Sequence, residues 1–440
     1  MICWREWCAN YCRGSLARKH NEVNYVDSMS SKIVIIGAGV IGAASALSLQ
    51  ADGHQVTLLD REAPCAGASF GNAGAIVNGS CVPTAMPGIL YDVVRMALQP
   101  LPALSIRPAY FHKILLWLLR FIWQSRSVAA SNNAIHLHTL TRHAVDSWNQ
   151  LVDDTMLAPF VEEAGWLKVY EKEASFADTA KARKLMDEIG TSYEVLDRSE
   201  ISDLEPNLAP IFNFGLYQKD CLRIVNPHKL VQGMVDLFIS RGGQFKQFEV
   251  ENIQHESEQV SLSGPLGTIT ADKVIVAAGA WSRSLAQQLG DNVPLDTERG
   301  YHLMLPESTR DLLNAPVVNG ESSFVLSPME TGMRLSSQIE FGGLEAAPNF
   351  SRVRSLLPLA KRMLPTLDTR EESTWMGFRP SLPDSLPVLG FSTNSKNVLY
   401  AFGHQHLGMT MGAVTGKLVS DLIAGRDPIA GMAPFRPNRF

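Results

Sequence analysis

The sequence predicts an α/β protein in which a parallel sheet with flanking helices is joined to a second part, of α+β type, built on an antiparallel sheet. An unbroken apolar run from Ile33 to Ile36 is typical of a parallel strand covered on both faces. A second such run, Val274 to Ala278, predicts another buried strand. Apolar residues alternate between Tyr301 and Ser337, which indicates antiparallel strands. The 440 residues exceed one ordinary core, so we expect two domains.

The residues that follow the first strand form a dinucleotide-binding motif. Its spacing is G-x-G-x-x-G, made by Gly37, Gly39 and Gly42, with Val40 and Ile41 between the last two glycines. The first glycine makes a tight turn, the second admits a pyrophosphate, and the third lets the next helix pack against the strand. A helix over 41–51 would point its N-terminal amides at the phosphates. A second strand over 55–59 ends at Asp60, where the motif requires an acid for the ribose hydroxyls.

Composition and charge argue against several other classes of protein. The net charge of −5 offers no basic face for nucleic acid. Residues 1–30 contain no apolar core that would serve as a signal peptide, so we expect an N-terminal extension, and Met29 resembles a natural start. The cysteines are sparse and unpatterned, which favours a reducing, cytoplasmic location. Neither cysteines nor histidines have a ligand spacing, so we predict no metal site.

Four later segments carry the remaining signals. Small residues and glycines over 66–76, AGASFGNAGAI, allow backbone to lie against a flat or phosphorylated ligand, although composition alone would also fit an ordinary loop. The strand over 273–277 runs into the sequence AAGAWS. Residues 377–380 read GFRP, and the turn over 403–412 opens a helix whose N-terminus can stabilise negative charge. Together with the first motif, these segments resemble the D-amino acid dehydrogenase branch of the amino acid oxidase flavoproteins.

That resemblance covers essentially everything after the extension, and it implies a Rossmann-type FAD-binding domain with an inserted antiparallel-sheet substrate domain. The implied FAD domain is discontinuous, over 31–100, 220–290 and 372–440, and the substrate domain occupies 101–219 and 291–371. No cysteine follows Cys221, so the covalent flavin attachment of sarcosine oxidase-like relatives is not expected. The resemblance therefore implies non-covalent FAD.

The resemblance also assigns cofactor contacts to individual positions of this sequence. The glycine motif with Asp60 and Arg61 would hold the ADP half, and Val250 would pass over the adenine. The other implied contacts come from the glycine-rich loop, the AAGAWS segment and the late turn: Ser69, Gly71, Asn72, Ala73, Gly74, Ala278, Gly279, Trp281, Gly408, Met409 and Thr410.

On the substrate side, relatives use the arginine of G-x-R-P for the substrate carboxylate, which corresponds to Arg379 here. A planar guanidinium donates hydrogen bonds to both carboxylate oxygens at once and stays charged when half-buried. In relatives the residue that matches Tyr301 can point into the pocket, and an exposed or core tyrosine at the start of a strand is an equal alternative. His404 and His406 can reach substrate or only cap the turn. The sequence does not decide between these alternatives.

The implied reaction is oxidative deamination of a free D-amino acid by hydride transfer to the flavin N5. The product is an imino acid, which water converts to a keto acid and ammonia. D-proline or D-hydroxyproline would give a cyclic imine. The alternatives are a glycine- or sarcosine-type amine oxidase and an L-amino acid deaminase of the same fold. The electron acceptor, oxygen or a respiratory quinone, stays open.

The most apolar stretch is Ile106 to Trp123, with ILLWLLRFIW at its centre. It is too short and too interrupted by Lys113 and Arg120 to span a bilayer, which needs about 20 apolar residues. We favour a buried helix of the substrate domain over a peripheral contact with a membrane surface.

Overall fold

The parallel sheet predicted at the start of the chain is present and lies between helices. The structure, a computed structural model, describes residues 30–89, 104–153, 155–256 and 258–440. The predicted N-terminal extension lies outside these residues except for Ser30. The strands of the described part are β1 (Lys32–Ile36), β2 (Gln55–Asp60), β3 (Ala75–Val77), β4 (Leu104–Ile106), β5 (Val161–Tyr170), β6 (Glu194–Leu196), β7 (Phe214–Ile224), β8 (Gln244–Gln247), β9 (Asn252–His255), β10 (Val260–Gly264), β11 (Gly267–Ala271), β12 (Lys273–Val276), β13 (Asp296–Met304), β14 (Val317–Asn319), β15 (Phe324–Met329), β16 (Gly332–Phe341), β17 (Ser373–Ser381), β18 (Val388–Phe391) and β19 (Val398–Phe402).

The α-helices of the same residues are α1 (Val40–Ala51), α2 (Phe111–Gln124), α3 (Ser127–Thr141), α4 (Ala144–Val152), α5 (Glu173–Ala177), α6 (Ala180–Ile189), α7 (Arg198–Leu204), α8 (Pro227–Ser240), α9 (Ser282–Gln288), α10 (Ser351–Arg354), α11 (Leu357–Met363) and α12 (Gly408–Ala424). Short 3₁₀ turns connect several of them.

Six of the described strands form one sheet, in the order β18-β19-β12-β1-β2-β8. Neighbours from β19 to β8 are parallel, and β18 is antiparallel to β19. Both apolar runs recognised in the sequence are therefore adjacent: Ile33 pairs with Lys273 and Ile36 with Val276. Their side chains are buried because helices and a small three-stranded sheet cover the two faces. The predicted strand, helix and second strand of the dinucleotide motif are confirmed.

Helices α1 and α12 pack on the same face of this sheet at very short range. A Cβ at Gly416 would lie 2.6 Å from the carbonyl oxygen of Ala44, and a Cβ at Gly412 would lie 2.7 Å from Val40. The two glycines thus allow the backbone of α12 to contact α1 directly. This packing holds the N-termini of the two helices next to each other, at the carboxyl ends of the parallel strands.

A ten-stranded, mostly antiparallel sheet carries the second part, as predicted. Its path is β17-β13-β16-β15-β14-β5-β7-β3, with β4 joined to β16 and β6 to β7, counted over the described residues. The α-helices and loops over 198–213 and 350–367 cover one face and form a second core. Residues 31–440 pack as one compact unit, and the predicted domain boundaries stay a prediction.

Helix α2 corrects one expectation. We favoured a buried helix, and that prediction is wrong, because only Ile114 and Trp117 are buried. The outward side chains are exposed, with Leu116 at 74% and Trp123 at 62%. Their hydropathy could not reveal this, because the tertiary packing decides which apolar face is covered. None of the helices in the described ranges is long and apolar enough to cross a membrane.

Candidate active site

A cavity of about 660 Å³ lies where the two large sheets meet. It is lined by most of the residues proposed from the sequence, which come from distant parts of the chain: Gly37, Gly39, Val40, Ile41, Asp60, Arg61, Ser69, Gly71, Asn72, Ala73, Val250, Ala278, Gly279, Trp281, Tyr301, Arg379, His404, Gly408, Met409 and Thr410. Gly42 and Gly74 do not line it. These two glycines instead shape the backbone behind the wall.

The glycine motif forms a cradle that side chains would fill. Gly37 has a φ of +110°, and a Cβ there would lie 2.4 Å from the carbonyl oxygen of Ala277. A Cβ at Gly42 would lie 1.8 Å from the carbonyl oxygen of Gly37, so α1 packs directly on the turn. At Gly39 a Cβ would meet only the hydroxyl of Ser69, at 3.2 Å. The first and third glycines are therefore required by packing, and the second opens the backbone toward the cavity.

Asp60 is held in place by backbone amides at the end of β2. Its Oδ2 accepts a hydrogen bond from the amide of Ala38 at 2.7 Å, and its Oδ1 accepts one from the amide of Glu62 at 3.0 Å. Burial raises the pKa of this carboxyl, and the two amide hydrogen bonds oppose that effect. The carboxylate thus reaches the cavity edge in a fixed orientation, which suits the predicted ribose contact.

The loop over 66–74 is fixed by a residue that the sequence did not reveal. Arg334, buried on β16, donates from Nη1 to the carbonyl oxygens of Phe70 at 3.1 Å and Asn72 at 2.6 Å. Burial lowers the pKa of Arg334 to about 10, so it stays charged at neutral pH. Within the loop, Asn72 Oδ1 accepts from the amide of Gly74 at 2.8 Å. The ring of Trp375 lies so close to Gly71 that a Cβ there would be 1.8 Å from it.

Two helix N-termini converge on this loop. The amide of Val40 donates to Ser69 Oγ at 3.0 Å, which ties the loop to the first turn of α1. At the start of α12, the carbonyl of Met409 accepts from Trp148 Nε1 at 2.9 Å, and Thr410 Oγ1 donates to the carbonyl of Ala75 at 3.3 Å. Backbone amides and helix dipoles at both ends favour negative charge in the space between them.

The AAGAWS segment provides a flat wall. The Arg61 guanidinium lies 3.8 Å from the centre of the Trp281 ring, and Trp281 meets Phe378 edge to face at 5.5 Å. Trp281 therefore stacks on Arg61 and Phe378 at the cavity edge, and Val250 lines the same end. These positions agree with packing near a cofactor rather than with a reacting group.

Arg379 enters the cavity from β17 on the side away from the glycine motif. Its guanidinium lies against Gly300 of β13, where a Cβ would be 2.4 Å from Nη2. Glu298 is buried and lies opposite Arg379 in the pairing of β13 with β17. Burial raises the pKa of Glu298, and the positive charge of Arg379 acts in the opposite direction. Burial also lowers the pKa of Arg379 from its usual value. The strand pairing thus fixes a half-buried cation in the cavity.

The two histidines of the late turn occupy different positions. His404 is buried, and its Nε2 is 3.1 Å from Thr415 Oγ1 on α12. His406 exposes its ring to the cavity itself. Burial lowers the pKa of His404 to about 3, and burial together with the charge of Arg379 lowers the pKa of His406 to about 4. Both imidazoles are neutral at pH 7.

A match to a family model covers residues 32–422, and the description of that family is FAD dependent oxidoreductase. A D-amino-acid oxidase from Bradyrhizobium diazoefficiens is 32% identical over 93% of this chain and 98% of its own length. The chain belongs to this family of FAD-dependent oxidoreductases. A D-amino acid dehydrogenase from Vibrio vulnificus is 29% identical over 92% of this oxidoreductase and 99% of its own length.

Solved structures show the same fold at lower identity. Glycine oxidase from Geobacillus kaustophilus has a TM-score of 0.69 and 23% identity, covering 93% of this oxidoreductase and 99% of that chain. L-proline dehydrogenase from P. horikoshii has a TM-score of 0.73 and 16% identity, covering 93% and 98%. The predicted fold class and FAD as cofactor are thereby confirmed.

The cavity fits FAD in shape and chemistry. Small residues and glycines admit backbone contact with a pyrophosphate, and the N-termini of α1 and α12 favour its negative charge. Asp60 and Trp281 offer an acceptor for ribose hydroxyls and a flat surface. Cys65 is buried, and burial raises the pKa of its thiol to about 12, which disfavours a reactive thiolate. The roles assigned to single cofactor residues stay predictions.

Tyr301 was proposed as a substrate-side residue, but its hydroxyl is bound within the protein core. Its backbone and ring contribute to the wall, but its hydroxyl donates to Glu340 Oε2 at 2.6 Å and accepts from the amide of Asn349 at 3.2 Å. Arg299 and Arg107 complete this buried cluster around Glu340. The geometry therefore favours the core alternative for Tyr301, and His406, not His404, presents a side chain to the cavity.

Proposed function

We propose that this oxidoreductase oxidises free D-amino acids at the α-carbon. The observation that carries the proposal is Arg379, a cation fixed by β13 and β17 in the same cavity as the residues that fit FAD. The support for D substrates comes from the two relatives described above, which match over nearly the full length. The glycine oxidase and L-proline dehydrogenase structures are below 25% identity and support only the fold.

Arg379 binds the substrate carboxylate. A guanidinium can donate two parallel hydrogen bonds to the two carboxylate oxygens, which fixes the rotation of the amino acid as well as its position. Gly300 leaves the space in which the guanidinium lies, and Glu298 balances its charge from the buried side. The main contribution of the protein is this orientation of the α-carbon.

The second contribution is to hold the amine in its neutral form. The enclosed walls of the cavity and the charge of Arg379 both disfavour a further positive charge, so an unprotonated amine enters the cavity more readily than an ammonium group. FAD, when bound, supplies the acceptor for two electrons. The substrate loses its α-hydrogen with the bonding electron pair and one amine proton, which leaves a C=N bond. Water then releases the keto acid and ammonia.

The test is anaerobic reduction of the purified yellow protein by a panel of amino acids. We expect D-amino acids to bleach the visible flavin band and their L-enantiomers to leave it unchanged. The panel includes glycine, sarcosine, D-proline and D-hydroxyproline, the other substrate classes that the resemblance implies. Bleaching by L-amino acids or by glycine alone would overturn the proposal. Readmitted oxygen, compared with an added quinone analogue, then identifies the electron acceptor.

Arg379→Met is the decisive variant for the carboxylate site. Truncating one partner of a buried charge pair costs about 2–5 kcal/mol, so the rate of reduction per substrate concentration should fall roughly 30-fold to several thousand-fold. FAD content should stay unchanged, and Arg379→Lys should retain an intermediate rate because the charge is kept without the planar fork. Wild-type rates in Arg379→Met would show that the carboxylate binds elsewhere.

We further propose that this oxidoreductase contacts an anionic membrane surface through α2. Residues 104–145 contain five lysines and arginines and no acidic residue, although the whole chain has a net charge of −5. The exposed face of α2 is apolar, and Arg126 lies over the Trp123 ring at 3.3 Å from its centre. An exposed apolar face flanked by cations suits the headgroup region of a bilayer. A cytoplasmic location agrees with the free thiols of Cys65, Cys81 and Cys221.

Sedimentation with phosphatidylcholine vesicles, with and without phosphatidylserine, tests this contact. Binding should require phosphatidylserine, and Leu116→Glu should weaken it roughly tenfold or more because burial of one leucine contributes about 1.5–3 kcal/mol. Leu266→Glu is the matched control, since Leu266 is 76% exposed on a distant turn and Leu116 is 74% exposed. Equal sedimentation of both variants and wild type would contradict the proposal.

A further inference from the structure

A second cavity, of about 680 Å³, adjoins the first one beyond His406. Trp166, Ser80 and His406 line both cavities. His406 and Arg379 also line the first cavity together, so this shared boundary opens into the cavity that holds the proposed carboxylate site. A substrate held by Arg379 therefore has a neighbouring space into which its side chain can extend.

The floor of the second cavity is one face of β5. Trp166, Lys168 and Tyr170 alternate along this strand and all line the cavity, while Leu167 and Val169 on the other face are buried in the core. A register shift between Ala164 and Trp166 determines which side chains of the following residues face the cavity. β-Bulges of this kind redirect side chains and are common beside active sites.

Lys168 stands out because it is a cation in the interior of a sheet. Its strand is flanked on both sides, by β7 and by β14, so its side chain cannot reach solvent along an edge. No hydrogen bond or ion pair joins its ammonium group to another residue within the described ranges of the chain. Burial lowers the pKa of Lys168. Lys168 is half-buried and its strand position turns it toward the cavity, where an anion can bind its ammonium group.

The other charges of the cavity leave a positive excess. Lys172 and Arg183 join Lys168, against Asp178 and Glu321. Glu321 is committed to the backbone, since its Oε1 accepts from the amides of Glu171 at 3.1 Å and Lys172 at 2.8 Å. Arg183 lies over the Phe176 ring and donates to Thr179 Oγ1 at 3.0 Å. Lys172 is exposed to solvent, whereas Lys168 is half-buried and its position is not explained by these contacts.

We propose that the second cavity receives the substrate side chain and that Lys168 binds an anionic group at its end, so the preferred substrates are acidic amino acids with a second carboxylate. The inference rests on the proposed function, because Arg379 must hold the α-carboxylate for the side chain to point toward Lys168. It adds a binding residue and a substrate class to that function.

Isosteric substrate pairs test the proposal. D-Glutamate and D-glutamine have the same size and differ in charge, as do D-aspartate and D-asparagine. Anaerobic reduction of the wild-type flavin should be roughly tenfold or more faster, per substrate concentration, for the acid of at least one pair, because hydrogen bonds to charged groups are the stronger ones. Lys168→Met should abolish that preference, because the acid and the amide of each pair then meet the same uncharged side chain.

Two further variants separate charge from structure. Lys168→Arg should keep the preference for the acid, and Lys184→Met, which removes a surface lysine that is 78% exposed, should not alter it. An unchanged acid-to-amide ratio in Lys168→Met would overturn the proposal. A wild-type preference for the amides, or reduction by D-alanine but by neither acid, would overturn it as well.

A binding measurement makes the inference independent of turnover. Glutarate and pentanoate have the same chain length but two and one carboxylates. Glutarate should raise the thermal unfolding temperature of the flavin-loaded wild type more than pentanoate does, and Lys168→Met should lose the difference. If no amino acid bleaches the flavin while this difference is present, the proposed function fails and the anion site stands. If D-alanine bleaches the flavin while the difference is absent, the anion site fails alone.

Discussion

The cofactor wall and the substrate wall of the cavity are built from different parts of the polypeptide. The cofactor wall consists of residues 37–42, 66–74 and 408–410, in which Gly42 and Gly74 lie directly behind the lining. It presents glycines, backbone amides and two helix N-termini. The substrate wall presents long side chains from paired strands, above all Arg379 on β17 in the first cavity and Lys168 on β5 in the adjoining second cavity. One wall exposes mainly main-chain groups to the cavity, and the other exposes mainly side chains.

This difference follows from what each wall must bind. FAD is the same in every turnover, and close main-chain contacts suit a constant ligand because no rotamer has to be ordered. Substrates vary, and a side chain on a rigid strand can be exchanged without moving the backbone. Added Cβ atoms should therefore damage cofactor binding on one wall and substrate binding on the other, and the two effects should be separable.

The largest effect is expected for Gly42→Ala on the cofactor wall. The new Cβ would lie 1.8 Å from the carbonyl oxygen of Gly37, and neither backbone segment can move without shifting α1. Overpacking of this kind costs about 3 kcal/mol or more, which corresponds to roughly a 100-fold loss of FAD affinity. Flavin content after dialysis and fluorescence titration with FAD measure it. Gly67→Ala is the control, because a Cβ at Gly67 meets no atom within 4 Å; equal FAD loss in both variants would contradict the packing argument.

Gly300→Ala applies the same change to the substrate wall. Its Cβ would lie 2.4 Å from Nη2 of Arg379, so the flexible guanidinium moves and the backbone does not. Displacing a positioning group by about 1 Å can lower the reaction rate by up to about 100-fold. We therefore expect a rise of roughly 10- to 100-fold in the substrate concentration that gives half-maximal flavin reduction. FAD content should match wild type. Loss of FAD from this variant would mean that the two walls are not independent.

The cofactor wall was more predictable from the sequence than the substrate wall. Its contacts are encoded locally: the turn, the helix start and the acid at Asp60 follow one another within thirty residues, and each has a distinct residue type. The glycine spacing therefore led directly to a wall that the structure assembles from those same residues. The predicted bounds of β1, α1 and β2 each differ from the observed ones by one residue at one end and agree at the other.

The substrate wall depends on strand phase and on pairing between distant segments. Lys168 faces the second cavity because of a register shift two to four residues before it, and no residue type marks that shift. Arg334 contacts a loop more than 260 positions away, and an arginine in an alternating strand is more often a surface residue. The hydroxyl of Tyr301 is directed to Glu340 by the pairing of β13 with β16. Such relations exist only after the sheet has formed.

Arg334 links the two walls, and Arg334→Met sharpens the comparison between them. The side chain starts on the substrate sheet, but its hydrogen bonds end on the carbonyls of Phe70 and Asn72 in the cofactor loop. Losing hydrogen bonds from a charged donor costs about 1.5–3 kcal/mol, so FAD affinity should fall roughly 10- to 100-fold. The substrate concentration that gives half-maximal flavin reduction should change little when the enzyme is saturated with FAD. Arg310→Met, at an exposed site, is the control; a selective loss of substrate binding would place Arg334 with the substrate wall.

The smallest effect concerns pH and His302, which lies between the two walls. Its Nδ1 is 3.4 Å from the carbonyl of Gly71, its ring stacks on Trp375, and burial with the charge of Arg334 lowers its pKa to about 3. Because the pKa in the folded protein is below the unfolded value of about 6.5, the unfolded chain binds the proton first, and stability is lost as the pH falls below 6.5. One such histidine contributes about 2 kcal/mol of this loss between pH 6.5 and pH 5. Denaturant unfolding at both pH values should show a smaller acid loss for His302→Phe, which keeps an aromatic ring beside Trp375, and an equal loss would mean that His302 is not buried as a neutral ring.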